Sequence, residues 1–274
     1  MSVSLGIYEK AMPDFLGFKD KLECAKEAGF DFLEISIDES DTRLSRLDWS
    51  QAQIKELHSV SRDTGIFIDT MCLSGHRKFP MGSADMKTQE RSLEIMQKAV
   101  DFSASLGIRI IQLAGYDVYY EPSTEKTKQR FLENLHKSVA MAAKSGVVLG
   151  FETMETSFMN TVEKAMYYVK LINSPYLQVY PDIGNITNAT ADVTGDIATG
   201  AGHIVAAHLK ETKEGIFRDM KFGQGRVDFA AAIHQLLAQG VRKFNAEFWF
   251  DGSENYLQEC KNAHHFLRPL LEVK

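Results

Sequence analysis

Eight short apolar runs recur along the chain, each followed by a polar turn and then by a longer stretch with helical spacing. This alternation limits the possible folds more than any other feature. The runs are VSLGIYE (3–9), FDFLEIS (30–36), IFIDTMCLS (66–74), IRIIQLAGY (108–116), VVLGFETM (147–154), LQVYPDI (177–183), IVAAHLKET (204–212) and KFNAEFWF (243–250). Runs of this length bounded by turn residues read as buried strands. Between them, SQAQIKELHSVSRDTG, TEKTKQRFLENLHKSVAMAAKSG and DFAAAIHQLLAQG read as helices. Gly29, Gly65, Gly107, Gly146 and Gly240 each fall just after a helical stretch and before a strand, where a left-handed C-cap favours glycine.

Strands that alternate with helices pair in parallel and are covered by those helices. Eight such units in 274 residues predict an α/β protein, a (β/α)8 TIM barrel forming a single domain over residues 1–274. A doubly wound open sheet is the competing arrangement. It usually carries a glycine-rich dinucleotide fingerprint after its first strand, and GIYEKAMPDF has none. Six prolines and no Ser/Gly/Pro-rich stretch leave no evident linker.

In a barrel of this kind the chemistry sits where the strands end at their C-terminal side. The fifth run ends LGFETME with Glu152, the sixth VYPDIGN with Asp182, the seventh AAHLKET with His208 and the eighth NAEFWF with Glu247. Taken singly, each has an ordinary structural explanation: Asp182 could cap backbone amides, and Glu152 could pair with Lys210. Together they bring three carboxylates and an imidazole to one mouth, where unpaired charges repel strongly. One bound divalent ion removes the conflict. Oxygen and nitrogen donors without thiolate suit Zn2+ or Mn2+ first, with Co2+ and Mg2+ also compatible.

Bulk properties narrow the partners. The net charge of −6 provides no global basic field for nucleic acid or an anionic membrane, so an anionic substrate needs local cations. No apolar stretch approaches the roughly 18 residues that span a bilayer, and the first residues, MSVSLGIYEKAMPDF, do not resemble a secretion signal. Cys24, Cys72 and Cys260 share no metal-type spacing and are expected to be reduced thiols in a cytoplasmic protein. Cys72 lies close to His76, which raises a thiolate nucleophile as an option. A buried cysteine acting as a small apolar side chain is the simpler expectation. Trp49 and Trp249 read as packing residues, with Trp249 placed to border a ligand.

The order Glu, Asp, His, Glu on strands five to eight resembles the xylose-isomerase-like barrels, which include ketose 3-epimerases and endonuclease IV. Closer still, GIYEKA, FDFLEISIDESDTRLSRLDW, CLSGHRKFPMGS, IQLAGYDVYYE, FMN, VYPDIGN, HLKET and FRDMKFGQGRVDF resemble the L-ribulose-5-phosphate 3-epimerases of the L-ascorbate utilisation route, also called L-xylulose-5-phosphate 3-epimerases. The matching blocks run in order from residue 6 to about residue 250.

The resemblance implies that Glu152, Asp182, His208 and Glu247 ligate one metal ion, and that Glu152 and Glu247 double as the acid/base pair. The chemistry agrees: inverting a carbon beside a ketone requires a proton to leave one face and return on the other, which two opposed carboxylates can do. It further implies a substrate-binding role for Arg218, a small pentulose phosphate as substrate, and a homodimer. Glu155 is placed to bond a sugar hydroxyl or simply to start the loop. His76, Arg77 and Lys78, just after the third strand, are candidates for the phosphate or else a surface charge run. The match is less exact at Glu155, at Glu211 and in the loop after Glu211, which is shorter here.

Three rivals share the barrel or the ligand. A hydride-shift aldose–ketose isomerase normally needs a second metal site, which HLKETKEG does not clearly provide. An abasic-site endonuclease uses further histidines on strands three and four, whereas the fourth run ends QLAGYD, and the negative charge disfavours duplex DNA. An inactive sugar-phosphate-binding protein is expected to have lost a ligand or a glutamate, and none is missing.

Overall fold

The computed structural model describes residues 2–272; Met1 and residues 273–274, part of the expected 1–274 domain, lie outside the described residues. Its strands are β1 (Ser4–Tyr8), β2 (Phe32–Ile37), β3 (Phe67–Leu73), β4 (Ile110–Ala114), β5 (Val148–Glu152), β6 (Leu177–Val179), β7 (Ala207–Leu209) and β8 (Lys243–Ala246). All neighbouring pairs are parallel, in the order β6-β5-β4-β3-β2-β1-β8-β7. The two end strands meet through bridges at Val179–Ile204 and Asp182–His208, which close the sheet into a barrel. The expected TIM-barrel fold is the observed one.

Helices α1 (Phe18–Ala28), α2 (Asp41–Leu44), α3 (Gln51–Thr64), α4 (Met86–Leu106), α5 (Glu125–Ser145), α6 (Val162–Ile172), α7 (Ile183–Ala189), α8 (Val193–Ala198), α9 (Phe229–Ala238) and α10 (Tyr256–Leu271) surround it. None is long and apolar enough to cross a membrane. Gly29, Gly65, Gly107 and Gly146 cap α1, α3, α4 and α5 with φ of 97°, 79°, 80° and 65°, a region a Cβ disfavours. Gly240, with φ of 86°, sits one residue past the C-cap of α9. At the other ends, Ser50 with Gln53 and Thr124 with Thr127 form capping boxes that satisfy the orphan amides of α3 and α5.

One apolar layer fills the space between sheet and helices, with Leu5, Ile7, Leu33, Ile35, Ile111, Leu149, Phe151 and Phe244 fully buried against helical Leu22, Ile95, Leu135, Ile233 and Leu267. Each such side chain contributes about 1.5–3 kcal/mol by leaving water. The strands are shorter than the apolar runs that encode them. β6 stops at Val179 because Pro181 has no N–H to donate and Asp182 is already the N-cap of α7. That early stop sets Asp182 at the junction of strand and helix, at the mouth of the barrel.

Candidate metal centre

At the C-terminal mouth Glu152, Asp182, His208 and Glu247 converge as expected: one donor atom from each lies within 4.8 Å of the others, and all four residues are buried. Glu152 closes β5, His208 is the central residue of β7, and Glu247 follows β8 and continues its ladder, donating its N–H to the Leu209 carbonyl at 2.9 Å. Asp182 Oδ1 accepts the backbone N–H groups of Gly184 and Asn185 at 2.7 and 3.0 Å, which holds the carboxylate and leaves Oδ2 for other partners. Capping and clustering are therefore both true of this residue.

A layer of polar side chains inside the barrel supports the cluster from below. Glu34 of β2 is fully buried and accepts hydrogen bonds from Thr70 (2.7 Å), Tyr180 (2.9 Å) and Asn245 (2.8 Å). Its Oε1 also lies 2.6 Å from His208 Nε2. This contact places a proton on Nε2 and turns Nδ1 toward Glu152 Oε1 (3.0 Å) and Glu247 Oε2 (3.1 Å), the orientation a metal-ligating imidazole needs. Gln112 of β4 donates to Glu152 Oε2 and fixes that carboxylate in turn.

Lys210, also buried, reaches into the cluster. Its Nζ lies 2.5 Å from Asp182 Oδ2, 3.7 Å from Glu247 Oε2 and 2.9 Å from Asn185 Oδ1. Burial alone favours the neutral amine, but Asp182, Glu247 and Glu152 hold Lys210 above its ordinary range, so it stays charged. One cation does not balance this many acids. Burial pushes Asp182 up to about 7 despite Lys210, with Glu247 and Glu152 adding to the rise. Glu152 is raised by burial and by the charge on Glu247. Burial opposes the charge on His208, yet Glu34 and Glu247 outweigh it and hold the imidazole well above its ordinary range.

The donor set fits a divalent ion. Asp182 Oδ2 and Glu247 Oε2 are buried and, among the described residues, meet cationic partners only through Lys210 for both and His208 for Glu247, which leaves lone pairs for an ion, and no thiolate takes part. An ion here must displace protons from Asp182 and from His208 Nδ1. Metal affinity is therefore expected to fall about tenfold or more for each pH unit below 7, with proton release on binding. Titration calorimetry between pH 5.5 and 8 in buffers of different ionisation enthalpy checks this, and a flat profile excludes it.

Directly above the ligands is a cavity of ≈ 50 Å³, lined by Tyr8, Lys10, Cys72, Arg77, Glu155 and Arg218 along with cluster residues and Trp249. It has room for only a few waters. A larger cavity, of ≈ 610 Å³, lies beside it, behind Trp249, between residues 219–224 and α10. The cluster does not line that space, so the chemistry belongs to the smaller one.

A search of family models matches residues 22–268 to the xylose isomerase-like TIM barrel. This chain belongs to that family. Curated relatives named L-ribulose-5-phosphate 3-epimerase UlaE from Salmonella heidelberg (strain SL476) and Salmonella paratyphi A are 45% and 44% identical over 267 residues, covering 97% of this chain and 94% of theirs. Among solved structures, D-psicose 3-epimerase from Clostridium cellulolyticum H10 superposes with a TM-score of 0.82 at 19% identity, covering 98% of this chain and all of that one. An L-ribulose 3-epimerase gives 0.80 at 21% identity over 99% and 95%. A further member from Mycobacterium smegmatis, solved in complex with magnesium, gives 0.72 at 17% over 98% and 97%. At these identities the structures show the fold; the curated relatives place the chain among isomerase-class enzymes.

The residues expected to meet substrate divide. Arg77, Glu155 and Arg218 line the small cavity. Arg77 stacks on Tyr119, 4.8 Å from the ring centre, and Glu155 accepts the Tyr116 hydroxyl at 2.6 Å. Arg218 lies over Trp249 at 5.3 Å. His76 requires correction as a phosphate ligand. It is buried, its Nε2 is 3.1 Å from the Ser92 carbonyl, and burial lowers its pKa to about 4, so it is neutral and turned into the wall. Lys78 is exposed, packs over Phe79 and does not line the cavity. Cys72 does face it, but burial and the charges on Glu152 and Glu34 raise its thiol well above the ordinary value, so it is no thiolate. Trp49 packs on Phe18 and Phe102.

Glu34 and Lys210 went unassigned as site residues. The signal for Glu34 was an acid inside an otherwise apolar run, and for Lys210 its place two residues after His208, on the same side of the strand.

Proposed function

We propose that this protein is a divalent-metal-dependent 3-epimerase that interconverts L-ribulose 5-phosphate and L-xylulose 5-phosphate. The observation that carries the reading is the buried four-ligand cluster with one glutamate at the end of β5 and another just after β8, in a chain 44–45% identical to proteins named for that reaction. Glu152, Asp182, His208 and Glu247 would hold one ion, which supplies Lewis-acid polarisation of the ketone. Zn2+ and Mn2+ suit the donors best.

The chain's own groups do the proton work. One glutamate takes the C3 proton from one face, and the other delivers a proton to the opposite face of the enediolate. The donors available from the protein to that oxyanion are Lys210 and Arg218, two fixed positive charges at the cavity wall. A pentulose phosphate is larger than the space of a few waters present, so its entry requires the loop that carries Phe217 and Arg218 to move outward, and return of the loop over it would exclude water. Arg77 and Lys10, also at the wall, are placed to receive the phosphate. A cytoplasmic location and a homodimer complete the reading, on the strength of the reduced thiols and the family resemblance.

The test is turnover of L-xylulose 5-phosphate in heavy water with the metal-loaded protein. The expected result is L-ribulose 5-phosphate carrying solvent deuterium at C3. Product without label excludes the two-base route, and no product from either pentulose phosphate excludes the substrate. An aldose–ketose isomerase would instead label C1 or C2, or transfer hydride without label.

A further inference from the structure

The loop after β7 does two things at once. Its outward arm brings Phe217 and Arg218 to the small cavity, and its return arm forms a wall of the larger one through Asp219, Lys221, Phe222 and Gln224. Most of residues 213–226 is exposed; its main apolar anchor is Phe222 on the return arm, packed on Phe229, Phe248 and Phe266, well past Arg218. Lys213 and Ile216 exchange backbone hydrogen bonds at the start, and Asp219 adopts a left-handed φ of 61° near the tip. Something must fix the loop at its neck if Arg218 is to keep a defined position.

Glu211 is there. It is buried, and its carboxylate oxygens are met by backbone N–H groups. Oε1 accepts the N–H groups of Thr212 (3.0 Å) and Val227 (3.2 Å), and Oε2 accepts that of Gly223 (2.9 Å). Two of these amides come from the return arm, so the carboxylate ties the arm to the end of β7. Hydrogen bonds to an ionised acceptor are roughly twice as strong as neutral ones. The neighbouring Arg226 N–H donates to the Thr212 carbonyl at 2.9 Å and completes the neck. Gly225 supplies an independent mark of the same contact: a Cβ at that position would overlap both the Glu211 carboxylate and the Thr212 carbonyl.

We propose that Glu211 is a positioning residue whose buried carboxylate clasps the neck of the 213–227 loop and so holds Arg218 over the metal cavity. The inference rests on the reading of that cavity as the catalytic one. Glu211→Gln keeps the length of the side chain but sets an N–H2 group against backbone donors, and Gly225→Ala pushes a methyl into the carboxylate's space. Both release the loop without touching a metal ligand.

The experiment is a double-mutant cycle on epimerisation, with wild type, Glu211→Gln, Arg218→Ala and the pair, joined to amide hydrogen exchange over residues 212–227. Glu211→Gln is expected to lower kcat/KM roughly ten- to a hundredfold. In the Arg218→Ala background the same change should cost no more than about threefold, because the group it positions is gone. Exchange over 212–227 should accelerate in Glu211→Gln and in Gly225→Ala alike, with metal content per chain unchanged. Losses that multiply in the pair, or exchange no faster than in wild type, overturn the proposal. If Glu211→Gln does not fold, Gly225→Ala takes its place in the cycle. A wild-type protein that folds and binds metal but does not epimerise sinks the catalytic reading instead, and the exchange comparison still decides the clasp.

Discussion

Glu152→Gln and Glu247→Gln are each expected to reduce epimerisation by roughly 10²–10⁴-fold, the usual contribution of a positioned acid or base. The two losses should differ in kind. A two-base site acts on opposite faces of C3, so a variant that keeps one glutamate keeps access to one face only. Each single variant should then still exchange the C3 proton of one epimer with heavy water while failing to convert it, and the two variants should choose opposite epimers. Glutamine preserves an oxygen donor, so metal content measured beside the exchange separates lost proton transfer from lost metal. Equal exchange of both epimers by either variant contradicts the assignment.

The second large effect lies beside the site, at the C-terminal end of β1. Glu9, directly after β1, is fully buried and accepts from Lys21 Nζ (2.9 Å), Arg43 Nη1 (2.9 Å), Arg46 Nη1 and Nη2 (2.7 and 2.8 Å) and the Ser36 N–H (2.9 Å). Removing this carboxylate leaves the buried Lys21 and the half-buried Arg46 without an acid among the described residues, while Arg43 keeps Asp14 and Asp38. Glu9→Gln is therefore expected to cost about 3–5 kcal/mol, a fall in Tm of roughly 10 °C for a chain this long.

Burial by itself would raise the Glu9 pKa, but hydrogen bonds from Arg46 and the charges of Lys21, Arg46 and Arg43 bring it down from 4.5 to about 2. A lowered carboxylate pKa adds stability that is fully present above pH 4.5 and is lost as the pH falls from there through 2. Its size is about 3 kcal/mol. Denaturant midpoints at pH 7 and pH 3 check this: the wild type should lose stability across that interval and Glu9→Gln should lose about 2 kcal/mol less, the remainder going only below pH 3. The network also fixes the segment that carries Lys10 to the cavity, where Lys10 pairs with Asp38 at 2.5 Å, so the variant should bind phosphate esters more weakly.

The sequence made the four-ligand cluster legible through a property of parallel barrels: every strand ends at the same mouth, so the last polar residue of each run is brought together whatever the intervening chain does. Glu34 was hidden by the same logic applied from the other side. It lies in mid-strand in an apolar run, and its partner His208 is 174 residues away. Nothing local distinguishes an acid that points into a polar barrel interior from one at an edge. His76 shows the opposite failure. SGHRKF reads as a run of three cations at a loop, yet the turn after β3 rotates them apart: the imidazole into the wall, Arg77 to the cavity, Lys78 to solvent.

Period and punctuation, then, were enough for the architecture. Alternating runs and left-handed glycines are local properties, and parallel pairing with helical cover follows from them with few alternatives. The ligand identities came with the strand ends. Which charges neutralise one another had to wait for the closed barrel: Lys210 against Asp182, Glu34 against His208, and Glu9 against three cations join residues far apart in the chain, and Glu211 spans the neck of a whole loop. A buried charge is stable only beside a partner in space, and chain order does not specify distance.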